Sequence, residues 1–113
     1  MSITKEYEIE LMENKVKVSG VLRLLSPKEY EEPFRQVKDH MAECKGEYVV
    51  DVSELTFLNS SGVTAIAQIA IEARQRDLPL KICGSDQIPW QNKTLTSLSK
   101  LWDKITVVFV STS

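Results

Sequence analysis

Over the first twenty or so positions, apolar and polar residues alternate with a period of two. Tyr7, Ile9 and Leu11 alternate with Glu8, Glu10 and Met12, and Val16 and Val18 alternate with Lys17 and Ser19, which predicts two half-buried strands. Glu13-Asn14 between them fits a tight hairpin turn, because asparagine tolerates the left-handed backbone that such a turn needs. Gly20 lets the second strand bend before it ends near Leu25. At Ser26-Pro27-Lys28-Glu29 the period changes. A capping serine, a proline at the first helical position and an acidic residue three after the cap predict a helix opened by a capping box. Tyr30, Phe34, Val37, Met41 and Cys44 then recur at helical spacing, with Gly46 where the helix should stop. Pro33 falls inside this stripe, which keeps its phase across the proline, so one kinked helix is expected.

The rest of the chain is organised around residues 47–76. Val49, Val50 and Val52 form a β-branched run with no polar face, which predicts a strand over 47–52 buried on both sides of a sheet. After Leu58 come Asn59, Ser60 and Ser61, whose side-chain oxygens suit the free N–H groups of a first helical turn, so a helix is expected over 60–76. Val63, Ile66, Ala70 and Ala73 fall on its sheet side, while Ser60, Thr64, Ala67, Gln68 and Ile71 form an outward stripe. Leu80, Ile82 and Gly84 mark a further strand begun after Pro79. Leu95, Leu98 and Trp102 mark a helix to about Lys100, with Trp90 at its entry expected to be buried. The β-branched and aromatic run over 106–110 is the last strand. The predicted class is therefore α/β, in the order β-β-α-β-α-β-α-β, with a mixed, largely parallel sheet. The helices are placed mainly on one face, since five short strands and three helices supply too little material to cover both.

At 113 residues the chain suits a single domain over 1–113, and 42% apolar with 27% charged residues is ordinary for a globular protein. A net charge of −2 offers no basic field for nucleic acid. The start lacks the apolar core of a signal peptide and the run over 63–71 is far short of a bilayer span, so no membrane insertion and a cytoplasmic location are expected. Asn92-Lys93-Thr94 is then a chance glycosylation match. Cys44 and Cys83, isolated in sequence, are expected to be buried reduced thiols, and His40, near Asp39 and Glu43, a solvated surface residue. Asp51 and Asp77 end elements and read as structural. No Gly-rich phosphate loop, nucleophile elbow or metal-ligand cluster is present in the sequence, so no catalytic residue, cofactor or metal is expected.

The turn Asn59-Ser60-Ser61-Gly62 carries the remaining chemistry. Two hydroxyls at a helix N-terminus suit phosphorylation, because exposed N–H groups and the helix dipole favour an anion there, and Gly62 leaves room for a close approach. Taken alone, the serines also read as simple helix caps. The stretch Asp51-Val-Ser-Glu-Leu-Thr-Phe-Leu-Asn-Ser-Ser-Gly-Val resembles the signature of the STAS domain family, which includes bacterial anti-sigma-factor antagonists and the cytoplasmic tails of sulphate transporters. In that family a strand ends in Asp and is followed by Leu/Val-Ser/Thr-x-Leu/Val-x-Phe-x-Asp-Ser-Ser-Gly, and the order of elements matches the one read above. The resemblance implies a non-enzymatic regulatory module in a partner-switching pathway. Its phosphoacceptor would be Ser61, with Ser60 as second choice, and its partner surface would comprise Asn59, Ser60, Gly62, Thr64, Ala67, Gln68 and Ile71. The implied partners are an anti-sigma factor or serine protein kinase and a PP2C-type phosphatase. The alternative is a constitutive STAS-like subunit that docks on a transporter ATPase. Asn59 stands where antagonists commonly have Asp, Ile88-Pro89-Trp90 is unlike their sequence, and the family's last helix is expected to be missing or reduced after Val110.

Overall fold

The computed structural model describes residues 6–110. Its elements follow the expected order: β1 (Tyr7–Met12), β2 (Lys15–Leu22), α1 (Pro27–Ala42), β3 (Tyr48–Leu58), α2 (Ser60–Gln75), β4 (Leu80–Ser85), α3 (Pro89–Leu98), a 3-10 turn (Ser99–Leu101) and β5 (Ile105–Val110). The strands form one sheet in the order β1-β2-β3-β4-β5, with β1 antiparallel to β2 and the other pairs parallel. Alternation along each strand sends one set of side chains to the helices. Val16, Val18, Tyr48, Val50, Val52, Leu80, Ile82 and Ile105 join Phe34, Val37, Ile66, Ala70 and Leu95 in a single core. The opposite face carries Lys15, Lys17, Val49, Asp51, Lys81 and Cys83, all half-buried, and exposed Thr106 and Val108. The helices therefore cover one face, as expected.

That asymmetry corrects the reading of β3. Val49 lies on the open face while Val50 and Val52 are buried, so the strand is half-buried and not enclosed on both sides. It is also longer than 47–52. Pairing with β4 stops at Asp51↔Cys83, but pairing with β2 continues through Gly20↔Leu55 to Leu22↔Leu58, so eleven residues stay extended up to the α2 cap. The bend at Gly20 is a bulge with a left-handed backbone of φ +91, and a side chain there would collide with the Glu6 carbonyl, which accepts a hydrogen bond from the Val21 N–H at 2.8 Å.

Local expectations at α1 also need correction. Ser26 occupies the cap position, but its side chain makes no capping bond; the Glu29 N–H donates to the Ser26 carbonyl instead, at 3.1 Å. Helix α1 runs through Pro33 as one sixteen-residue element and ends at Ala42, capped by Glu43, so Gly46 belongs to the connection beyond the helix end. His40 is not a solvated surface residue. It is half-buried where the end of α1 meets the start of β3, with Nδ1 2.7 Å from the Tyr48 hydroxyl. Burial pushes the Tyr48 hydroxyl pKa far above its ordinary value, so this phenol stays protonated. Cys44 and Cys83 are free but half-buried. Trp90 is half-buried too, and its Nε1–H donates to the Leu55 carbonyl at 3.1 Å.

Candidate functional site

Where β3 runs into α2, the turn is held by one side chain. Asn59 Oδ1 accepts from the Gly62 N–H at 2.9 Å, which caps α2, and from the Tyr30 hydroxyl at 2.7 Å. Its Nδ2 donates to the Leu24 carbonyl at 2.9 Å, its backbone N–H donates to the Leu22 carbonyl at 3.2 Å, and the Leu24 N–H reaches the Tyr30 hydroxyl at 3.3 Å. Burial raises the pKa of Tyr30, so the phenol stays protonated and can donate to Asn59. Asn59 thereby ties together the chain that leaves β2, the first turn of α1 and the N-terminus of α2.

The serines do not share this work. The alternative of simple capping serines does not hold: among the described residues neither Ser60 Oγ nor Ser61 Oγ makes a hydrogen bond, and Ser60 contributes only its carbonyl, which accepts from Thr64 Oγ1 at 3.2 Å. Ser60 is exposed. Ser61 is half-buried and lines an open groove of about 760 Å³ between α1 and α2. Tyr30, Phe34 and Lys38 form part of one wall, and Ser61, Thr64 and Gln68 part of the other, with Lys28 and Arg35 also along it. Arg35 is paired with Glu32 one helical turn away.

Ser60, Thr64, Gln68 and Ile71 of the outward stripe are exposed, Ile71 at 39%. Ala67 is half-buried and packs on the core. Gly62 turns inward. A Cβ there would lie 2.9 Å from both Leu58 Cγ and the Tyr30 hydroxyl, so its missing side chain makes room for Leu58 and Tyr30 and not for a partner. The Asn59 side chain is likewise spent on internal bonds. Both residues support the surface from beneath.

Gln91 escaped the sequence reading. It is fully buried, with Oε1 accepting from the Ser85 N–H at 2.7 Å and Nε2 donating to the carbonyls of Val52 at 2.6 Å and Leu55 at 2.9 Å. It bridges β3 and β4 where their pairing has stopped, and so holds the long arm of β3 that leads to the turn. Its signal was present. Gln91, Leu95 and Leu98 share one helical stripe, and a lone polar residue on an apolar stripe calls for buried partners.

On the open sheet face, the Asp51 carboxylate accepts from Ser53 Oγ at 2.7 Å and from the Ser53 N–H at 3.0 Å, with Lys15 Nζ at 3.5 Å. Burial opposes its charge, but these bonds and the lysine outweigh burial and hold its pKa below the usual carboxylate value. Burial raises both cysteine thiols. Among the described residues no cluster of three or more His, Cys, Asp or Glu is placed to hold a metal, and no helix is long and apolar enough to cross a membrane.

No protein-family model and no curated protein sequence matches the chain. Among solved structures it is similar to SiaC of Pseudomonas aeruginosa, with a TM-score of 0.73 at 13% identity, over 99% of this chain and 95% of that one. At that identity the likeness bears on the fold alone.

Proposed function

We propose that this chain is a non-enzymatic regulatory module that binds a protein partner on the Ser61 turn and the exposed stripe of α2, and that phosphorylation of Ser61 releases the partner. The observation that carries the reading is the division of labour in the turn. Asn59 does the capping, and the two serine hydroxyls at the helix N-terminus are left without an intramolecular partner among the described residues. Ser61 lines the groove between α1 and α2, and Ser60 is the second candidate.

Phosphate adds about −1.5 to −2 charge at neutral pH. At a helix N-terminus negative charge is favourable by about 0.3–1 kcal/mol, and Ser61 opens onto a groove, so the fold tolerates it. A partner seated on the same turn has to desolvate the dianion or supply cations for it. The resemblance of residues 51–63 to the STAS signature supports an anti-sigma factor or serine protein kinase as the partner and a PP2C-type phosphatase as the enzyme that resets the switch.

Affinity purification from native cells followed by mass spectrometry tests the partner class. A kinase-fold or anti-sigma partner, captured by Ser61→Ala and lost with Ser61→Asp while both variants keep wild-type circular dichroism, is the expected result. Recovery of a transporter ATPase with both variants alike, and no phosphate at Ser61 under any growth condition, would sink the switch.

A further inference from the structure

The two edges of the sheet differ in a way that the Ser61 turn does not explain. Strand β1 carries Glu8 and Glu10, charges that discourage a second strand from adding to that edge. Strand β5 reads Ile-Thr-Val-Val-Phe-Val, with no charge, proline or glycine, and it is the last strand in the sheet order. None of the usual edge-blocking devices is present along it.

The outward-facing groups can be identified. The Leu80 N–H donates to the Lys104 carbonyl at 3.1 Å and the Asp86 N–H to the Val110 carbonyl at 3.2 Å, so the even-numbered backbone groups of β5 point toward β4. The odd-numbered groups point away. The Ile105 N–H is used by the Trp102 carbonyl at 3.2 Å, while the N–H and C=O of Val107 and Phe109 have no partner among the described residues.

We infer that β5 pairs antiparallel with β5 of a second copy of this chain, about a two-fold axis through Val108, to give one continuous ten-stranded sheet. In this register Val107 of one copy faces Phe109 of the other, and each such pair exchanges both its backbone bonds, which satisfies the N–H and C=O of Val107 and Phe109 in each strand. Val108 meets its own counterpart as a non-hydrogen-bonded pair, the closer of the two kinds, and Thr106 meets Val110. On the open face Val108 and Val110 are 37% and 38% exposed, and on the helix face Val107 and Phe109 are half-buried, so each row has apolar area left to cover. Every facing pair is β-branched or aromatic and uncharged, the combination that favours cross-strand pairing. A slip of one residue sets Val107 opposite Val108, whose backbone groups are already committed to β4, and throws the helix layers onto opposite sides of the sheet.

Light scattering coupled to size exclusion, run over a concentration series, tests the pairing. The wild-type mass should double as concentration rises. Val108→Lys and Val108→Glu should each stay monomeric where the wild type is dimeric, with unchanged circular dichroism, because each places like charges face to face. An equimolar mixture of the two variants should recover the dimer. Amide exchange on the wild type needs no variant: on concentrating, Val107 and Phe109 should slow, while Thr106 and Val108, already bonded to β4, should not. A wild type that remains a monomer, a Val108→Lys protein that dimerises as well as wild type, a mixture that stays monomeric, or unchanged exchange at Val107 and Phe109 would each overturn the inference.

Discussion

Replacing Asn59 by Asp, the residue common among STAS antagonists at this position, tests whether the turn is built on an amide. Asp keeps both acceptor bonds, from the Gly62 N–H and the Tyr30 hydroxyl, and loses the donor to the Leu24 carbonyl. Its second oxygen takes the place of Nδ2, which lies 2.9 Å from that carbonyl, so a bond becomes a repulsion between two acceptors. Leaving a partly buried acceptor unsatisfied costs about 1–3 kcal/mol, and the repulsion puts this case in the upper half of that range. Against it stand about 0.3–1 kcal/mol from a negative charge at the α2 N-terminus and about 1 kcal/mol from turning neutral hydrogen bonds into charge-assisted ones. The carbonyl wins. The expected net loss is about 1 kcal/mol at pH 7, or a melting point lower by about 3–6 °C for a domain of this size.

The pH dependence gives the sign independently. The Leu24 carbonyl disfavours the carboxylate, so the folded-state pKa of Asp at position 59 lies above its unfolded value of about 3.9. The variant's relative stability is then fully present below that unfolded value and is lost as pH rises through the folded one. A protonated carboxyl can donate to Leu24 as the amide does, so urea denaturation should show the deficit at pH 7 and a smaller one at pH 4. A variant equal to or more stable than wild type at pH 7, or a deficit that grows on acidification, refutes the reasoning.

Gln91→Leu strands the Ser85 N–H and the Val52 carbonyl in the interior and should cost about 3 kcal/mol or more by urea denaturation, the penalty for two unsatisfied groups. Gly62→Ala pushes a methyl group into Leu58 and the Tyr30 hydroxyl; overpacking of about 1–3 kcal/mol should exceed the roughly 1 kcal/mol gained in helix propensity, so the melting point falls. Asp51 has a lowered pKa, so its contribution is present above the unfolded value of about 3.9 and lost as pH falls through the folded one; Asp51→Asn should flatten the acid limb of the stability profile. Ile71→Glu should weaken partner capture and leave the melting point within about 3 °C, since substitutions at an exposed position away from special features stay near ±0.5 kcal/mol.

The order of elements and the single covered face were legible because each element announces itself within a few residues. The alternation of Tyr7, Ile9 and Leu11 and the stripe from Tyr30 to Met41 depend on local periodicity alone. What failed was decided at long range. Ser53, Glu54 and Thr56 break the apolar run that ends the expected strand at Val52, yet they remain extended because β2 pairs with Glu54, Leu55 and Phe57 across two register shifts and Gln91 and Trp90 reach over from α3. His40 lies on the polar side of its own helix and is still half-buried, because Tyr48 arrives from the next strand. Three consecutive residues at positions 59–61 could each cap α2. Tyr30 and Leu24, 29 and 35 residues away, surround the one that does.

The same long-range wiring bears on how a switch at Ser61 could work. A modification can release a partner by melting its surface or by occupying it, and these differ in which bonds must break. The bonds that tie the turn to β2 and α1 and cap α2 run through Asn59, Tyr30, the backbone of Leu22 and Leu24 and the Gly62 N–H, and neither serine side chain belongs to that set. A phosphate on Ser61 therefore breaks none of them. It arrives beside free N–H groups of the first helical turn, where the helix dipole favours negative charge, in a groove whose lining mixes Lys28, Arg35 and Lys38 with Glu31 and Glu32. Melting would require the modification to undo contacts that it does not touch, and occupation requires only that the dianion sit where a neutral hydroxyl was. On this argument a phosphorylated chain keeps the amide-exchange protection of Gly62 and the near-ultraviolet spectrum of the unmodified one while losing its partner. Loss of Gly62 protection on phosphorylation would instead place the switch in the fold of the turn itself.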